Sequence, residues 1–314
     1  MSLNAPISRG PVLLFGGSGQ IGRALWPQLK AQGALVIAPE RSQLDLADLA
    51  AVRHFLAAHQ PAFIINAAAY TAVDRAETEP ALADAVNRAF PALLAEYAAQ
   101  QQCRLLHYSS DYVYGDDGGA TLDEQRPYQP QSIYAKSKAL ADQAVLAAYP
   151  AALIVRTSWV YAAQGENFMC TVLRLLREKP QLQVVADQVG APTPAALVAA
   201  VSLRLLTSSV SGVLNLASRG SCSWYQFAQA IRELAIQQGV SGLCCQHISA
   251  IPSSAWPAAA RRPLNSRLNV AALELLLGEP LPDWQSGLQQ TFQQWLLLQA
   301  KVGISSTSGA FQEF

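Results

Sequence analysis

The apolar run Val12 to Phe15 passes directly into G-G-S-G-Q-I-G and then into an amphipathic stretch, Arg23 to Gln32. Strand, glycine turn and helix in that order form a phosphate-binding unit, and they restrict the rest of the chain to folds that carry one. Gly16, Gly19 and Gly22 read G-x-x-G-x-x-G, with Gln20 and Ile21 between the last two. The first glycine permits the tight turn and the second lets backbone N–H groups approach a pyrophosphate. The third allows close packing of helix on strand, at a helix N-terminus that favours anions.

Strand and helix signals then alternate. A second strand, Leu35 to Ala38, ends at Pro39-Glu40-Arg41. An acidic side chain at this point bonds the adenosine ribose, whereas an arginine attracts a 2'-phosphate. Both are present, and the balance leans to NADPH with NADH tolerated. Asp45 ends a short extended piece that Leu46 follows, and Asp48 stands near the start of a helix from about Ala47 to His59. The strand Ala62 to Asn66 leads into Ala67, Ala68 and Ala69, then Tyr70 and Thr71; such small residues suit a backbone lying against a cofactor. The carboxylates of Asp74, Glu77 and Glu79 read as helix-start or solvated groups. Ala81 to Gln101 is helical in period despite Pro91, and Leu105 to Ser109 is a strand ending in S-S-D-Y-V-Y-G. Ser110 and Asp111 therefore emerge where parallel strands present their ligands. The alternation predicts a doubly wound parallel sheet.

In S-I-Y-A-K-S-K, Tyr134 and Lys138 stand four residues apart where a helical pattern begins, and so share one helix face. A phenol with pKa near ~10 is a poor acid or base at neutral pH, and a nearby ammonium lowers that value. Farther on, R-T-S-W-V-Y supplies Trp159, whose ring suits the apolar face of a sugar, and Asn167 opens a helix. R-R-P-L-N-S-R-L concentrates arginine forks that match phosphate oxygens, with Arg262 and Arg267 as the candidates.

Twenty-two basic residues balance 22 acidic ones, which argues against nucleic acid or an anionic membrane as partner. Apolar runs such as Ala195 to Leu206 are too short to span a bilayer, and the start has no signal-peptide pattern. Five cysteines without C-x-x-C fit reduced thiols in the cytoplasm, and the four histidines lack metal-ligand spacing, so no metal residue is assigned. Residues 11–180 are expected to form mainly the cofactor-binding domain. Residues 181–300 should form mainly a smaller, interleaved substrate-binding lobe, with 1–10 and 301–314 as flexible ends.

Taken in order, the glycine turn, N-A-A-A-Y-T-A-V-D-R-A-E, S-S-D-Y-V-Y, Y-x-x-x-K, R-T-S-W-V-Y, D-Q-V-G-A-P-T and R-P-L-N-S-R-L resemble the extended short-chain dehydrogenase/reductase family. Within it they are most similar to the branch acting on dTDP-linked 6-deoxy-4-keto sugars. The resemblance implies a Rossmann-like sheet and NAD(P)H-dependent reduction of the C4 keto group of dTDP-4-dehydro-L-rhamnose. It implies that Tyr134 gives the proton, that Lys138 lowers the tyrosine pKa and holds the nicotinamide ribose, and that Ser110, where many members carry threonine, bonds the carbonyl oxygen. The implied cofactor set is Gly16, Gly19, Gln20, Ile21, Gly22, Glu40, Arg41, Asp45, Leu46, Ala67, Ala68 and Ala69 with Tyr134 and Lys138. The implied substrate set is Thr71, Ser110, Asp111, Trp159, Asn167, Arg262 and Arg267. A homodimer and a Mg2+ ion are also compatible with the resemblance, though no ligand motif maps here. Two other readings stay open: a related nucleotide-sugar ketoreductase or epimerase, and a non-catalytic partner subunit like that of methionine adenosyltransferase. The complete Ser110, Tyr134 and Lys138 set argues against the latter.

Overall fold

The computed structural model describes Ile7, residues 10–116 and residues 119–307, with side chains to residue 300. Six strands make the main sheet: β1 (Val12–Phe15), β2 (Val36–Ile37), β3 (Phe63–Asn66), β4 (Arg104–Ser110), β5 (Leu153–Thr157) and β6 (Gly212–Asn215). Their order is β6-β5-β4-β3-β1-β2, and every neighbouring pair is parallel. The order reverses between β1 and β3, which opens a crevice outside the carboxyl ends of those two strands.

Strand period two divides the apolar side chains between two layers. Val12 and Leu14 face Leu25 and Leu29 of the helix Gln20–Ala31 and Val198 of the helix Ala195–Leu206. Leu13 and Phe15 face Val52 and Leu56 of the helix Leu49–His59 and Phe90 and Leu94 of the helix Phe90–Gln101. Burial on both faces explains why these strands read as unbroken apolar runs. A separate core joins Leu173 and Leu176 of Phe168–Glu178, Phe227 and Ile231 of Trp224–Gln237, and Trp284 and Phe292 of the terminal helix. Short strands surround it, with Gln181–Val185 parallel to His247–Ile251, and Val189–Gly190 between Cys222–Ser223 and Asn265–Ser266.

Three expectations need correction. The stretch 81–101 is not one helix: Pro80–Asp84 widens into a π turn at Ala85–Ala89 before Phe90–Gln101 begins. Pro91 has no N–H to return to residue 87, and the wider turn takes up that break. The terminal helix runs Trp284–Thr307, past the point where a flexible tail was predicted, since no proline interrupts it; residues 308–314 lie outside the described residues. Ile7 is buried in the core against the expectation of a loose lead-in, and the rest of residues 1–9 lies outside the described set.

The layers are tied together by one buried ion pair. Arg156 on β5 and Asp142 on the helix Ile133–Ala148 are 2% and 0% exposed, and Nε meets Oδ2 at 2.9 Å. Arg156 also donates to the hydroxyls of Tyr114 at 2.7 Å and Tyr128 at 2.6 Å. Tyr114 donates onward to Asn215 of β6 at 2.9 Å. Removing one member strands the other without water, which typically costs roughly 3–5 kcal/mol. Arg156→Met is expected to lower unfolding free energy by that order in urea titrations. The deficit should be smaller at pH 4 than at pH 8, because the orphaned Asp142 escapes its penalty by binding a proton.

Candidate functional site

The crevice between β1 and β3 exists because two backbones touch there. Gly16 has φ +80°, and a Cβ on it would lie 2.5 Å from the Ala67 carbonyl; one on Gly22 would lie 2.1 Å from Gly16 O. Above this contact opens a cavity of about 540 Å³. Gly16, Ser18, Gly19, Gln20 and Arg23 line it from the first turn, and Pro39 and Arg41 from the end of β2. Asp45, Leu46, Ala68, Ala69, Tyr70, Thr71 and the loop 164–166 add to the wall, with apolar side chains from Phe15, Leu44, Leu82 and Val86.

Of the expected cofactor contacts, Gly22 and Ala67 pack against Gly16 and Ile21 packs against the apolar core, and none of the three lines the cavity. Glu40 is exposed and outside the lining, its backbone N–H bonded to Gln43 Oε1, so Arg41 alone of that pair faces the cavity. Ser18, Arg23 and residues 164–166 line the cavity although no sequence signal pointed to them. Asn167, expected as a ligand contact, is instead the cap of its helix: Oδ1 accepts from Cys170 N at 3.1 Å and Nδ2 donates to Ala162 O at 3.0 Å. Both halves of its amide are thereby committed to anchoring the loop that lines the cavity.

A proton-transfer group lies at the carboxyl end of β4. Ser110 ends that strand, donates to Asp111 Oδ1 at 3.0 Å and accepts from Tyr112 N at 3.2 Å. Tyr134 sits in the first turn of Ile133–Ala148, its ring edge-to-face with Tyr112 at 5.7 Å. Burial pushes the Tyr134 phenol up to about 12, against the pull of the Ser110 hydroxyl beside it. Burial also pushes Asp111 up to about 6, opposed by the hydroxyls of Ser266 and Ser110. Lys138 is 2% exposed, and burial pulls its amine down to about 8, partly offset by Asp142. Its Nζ donates to Tyr108 O at 2.7 Å and contacts His107 Nε2 at 3.4 Å. The expected lowering of the Tyr134 pKa by Lys138 is therefore not found. The lysine is bonded toward the sheet, and burial dominates the phenol.

The carboxylates read as helix-start or solvated groups hold this assembly in place. Glu77 accepts the first helical N–H, from Ile133, at 2.8 Å, while the Ser132 hydroxyl caps Ala135 N at 3.2 Å. Glu79 accepts from the Tyr70 hydroxyl and from Arg75. Asp74 receives Arg262 bidentately, at 3.1 and 2.7 Å, and the Ala260 N–H at 3.0 Å. Asn87, presented by the π turn, bonds Tyr70 N and O and the Ser137 hydroxyl, which ties the cavity wall to the Tyr134 helix. A lone asparagine in an apolar stretch carried no signal that it would do this.

The structure gives both expected phosphate ligands internal partners. Arg262 is engaged by Asp74, and Arg267 donates to Asn265 Oδ1 at 2.8 Å and to Gly119 O. Arg261 beside them is exposed, with Asp116 at 3.7 Å, and shares with Arg262 and Trp256 a second cavity of about 460 Å³. Trp159 stands at φ +50° and stacks on Trp224 at 3.5 Å, so one face of its ring is covered; Gly190 makes room for its edge. Among the described residues no group of three or more His, Cys, Asp or Glu could hold a metal ion, and no helix is long and apolar enough to cross a membrane. All five cysteines carry free thiols.

Parallel sheet, glycine cradle at the switch point, and a tyrosine and lysine one turn apart beyond a strand-end serine define an extended short-chain dehydrogenase/reductase. The RmlD substrate binding domain matches residues 10–297. The dTDP-4-dehydrorhamnose reductase of Escherichia coli (strain K12) is 36% identical over 291 residues, covering 90% of this chain and 97% of that protein. The solved dTDP-4-dehydrorhamnose reductase of Clostridium acetobutylicum ATCC 824 is 33% identical with TM-score 0.85, over 92% of this chain and 99% of that one. That of Bacillus anthracis str. Ames, in complex with NADP, is 31% identical with TM-score 0.84, over 91% and 99%. The chain belongs to the RmlD family of dTDP-4-dehydrorhamnose reductases. A UDP-glucose 4-epimerase of Thermus thermophilus, 21% identical with TM-score 0.76 over 91% of this chain and 98% of that one, shares the fold.

Gly22→Ala is expected to cost about 1–3 kcal/mol by overpacking, read from urea denaturation, because its new methyl meets backbone rather than a side chain. Asp111 has a folded pKa above its unfolded one. The stability it contributes is therefore complete below about pH 4 and lost as pH rises through about 6. Compared with Asp111→Asn, the parent protein should lose roughly 1–3 kcal/mol of relative stability across that window, measured by denaturation at stepped pH.

Proposed function

We propose that the chain is an NADPH-dependent oxidoreductase that reduces the C4 keto group of dTDP-4-dehydro-L-rhamnose to give dTDP-L-rhamnose. The carrying observation is that Ser110, at the carboxyl end of β4, lies beside Tyr134, one helical turn from Lys138, in a sheet whose carboxyl side also carries the glycine-floored cavity between β1 and β3. The cradle fits a dinucleotide: any side chain at Gly16 or Gly22 would fill the approach, and Arg41 faces the cavity while Glu40 does not. Gly16, Gly19, Gln20, Arg41, Asp45, Leu46, Ala68 and Ala69 would hold the cofactor, with Arg41 toward a 2'-phosphate. NADPH, when bound, supplies the hydride for the sugar C4.

The chain's own residues supply the rest. With a pKa near 12, Tyr134 keeps its proton at neutral pH and is ready to give it to the C4 oxygen. General acid catalysis of this kind contributes roughly 10²- to 10⁴-fold in rate. The Ser110 hydroxyl orients the carbonyl oxygen beside Tyr134, and Lys138 holds the nicotinamide ribose. Thr71, Asp111 and Trp159 contact the sugar. Arg262 and Arg267 shape the diphosphate-binding loop through their internal bonds, and Arg261, with the looser partner, joins them at the phosphates. The segment 181–300 supplies most of the substrate-binding lobe. We place the protein in the cytoplasm, consistent with its free thiols, as a homodimer on the strength of family resemblance.

An epimerase returns its cofactor unchanged, and a partner subunit of a synthetase turns over nothing. Purified protein supplied with dTDP-4-dehydro-L-rhamnose should therefore consume NADPH stoichiometrically and release dTDP-L-rhamnose. Cofactor binding without net consumption would overturn the proposal. Tyr134→Phe should bind NADPH normally and lose at least about a hundredfold in kcat. Arg41→Ala should raise KM for NADPH about tenfold or more and leave that for NADH nearly unchanged, in steady-state assays with either cofactor.

A further inference from the structure

Beneath Lys138 lie two fully buried polar side chains that the proposed reaction leaves without a task, Asn66 at the end of β3 and His107 on β4. Asn66 Oδ1 accepts the Ala68 N–H at 3.1 Å, which fixes the amide so that Nδ2 points at His107 Nδ1, 3.0 Å away. A nitrogen that accepts carries no proton, so the single proton of a neutral ring is on Nε2. Nε2 faces Lys138 Nζ at 3.4 Å. Two N–H donors cannot satisfy one another at that distance. The contact is attractive only when the lysine turns a lone pair to the ring and keeps its own N–H for Tyr108 O, at 2.7 Å.

We infer that His107, turned by Asn66, is a positioning residue for Lys138, whose amine form it favours over the ammonium by presenting Nε2–H to the lysine nitrogen. Burial keeps the ring neutral, well below its ordinary range, with the Lys138 ammonium adding to this below its own titration, and burial draws Lys138 down to about 8. The other charged or titratable groups around Lys138 act in known directions. Asp142, one turn along the same helix, favours its ammonium and is itself paired with Arg156 of β5. Tyr134, one turn back, responds to Asp111 from the end of β4. Among the described residues, His107 is the group that presents a donor to the lysine nitrogen.

The inference rests on the proposed reductase chemistry for its consequence. An ammonium at Lys138 steadies the Tyr134 oxygen once its proton has passed to the sugar, and the amine does not. Activity should then fall as pH rises through the Lys138 titration. His107 sets that limb lower than burial alone would.

Two measurements on the full chain test this. In ¹⁵N-histidine NMR, with the His107 signal assigned by its loss in His107→Phe, the ring should be protonated at Nε2 and bare at Nδ1 from about pH 5.5 to 8.5. An Nδ1–H tautomer or an imidazolium in that range would overturn the inference. In kcat/KM profiles, the basic limb of His107→Phe should move up by about one unit, so that activity relative to the optimum rises several-fold at about pH 9.5, with NADPH affinity retained. Asn66→Leu, which frees the ring to change tautomer, should move it the same way. An unmoved limb in either folded variant would reduce His107 to packing. A parent protein that shows the stated tautomer but no reductase turnover would sink the reductase reading and leave the histidine assignment standing.

Discussion

The buried pair of Asp142 and Arg156 is the constraint on which the rest of the structure hangs. Neither charge has water to fall back on, so each must be held by protein groups of fixed geometry. Those groups come from distant places: the tyrosine-bearing helix, β5, the loop that carries Tyr114 and Tyr128, and through Asn215 the strand β6 from the second half of the chain. The guanidinium also lies over the rings of Tyr114 and Tyr128, at 4.7 and 4.9 Å from their centroids, which adds cation–π attraction to the hydrogen bonds. The helix that carries Tyr134 and Lys138 is thus fixed by charge as well as by apolar contact.

That helix devotes one face to polar work over its first ten residues. Tyr134, Lys138 and Asp142 succeed one another at intervals of four residues, all turned toward the carboxyl half of the sheet. From the sheet side, β3 and β4 meet them with Asn66, His107 and Ser109. Low dielectric makes every member of this row responsive to its neighbours, and it drives the acid up, the base down and the histidine neutral. The same burial that costs stability gives the site groups that titrate far from their solution values.

Much of this was legible in the sequence. The apolar run before the first glycine became β1 residue for residue, because a strand buried on both faces needs an unbroken apolar segment. Asp48, read as standing near a helix start, is the cap of the helix Leu49–His59. Other features were hidden because they depend on contacts between segments far apart in the chain. Nothing local marks Glu77 as the cap of a helix that starts 56 residues later, or Asp74 as the partner of Arg262 across 188 residues. Asn167 was ambiguous for the opposite reason: asparagine before an apolar run serves equally as a ligand contact or as a cap, and its side chain caps the helix here.

By itself the sequence determined the doubly wound sheet, the glycine cradle and the identity of the groups at the strand ends. Those follow from local apolar period, from the freedom of glycine and from where a parallel strand must stop. Tertiary structure alone decided how the groups are used. It turned Lys138 toward His107 and the Tyr108 carbonyl, faced Arg41 rather than Glu40 into the cavity, and paired Arg262 with Asp74. The physical reason is that protonation, orientation and pairing of a buried group are set by its desolvation and by partners from other segments. Neither is fixed until the chain has closed around them.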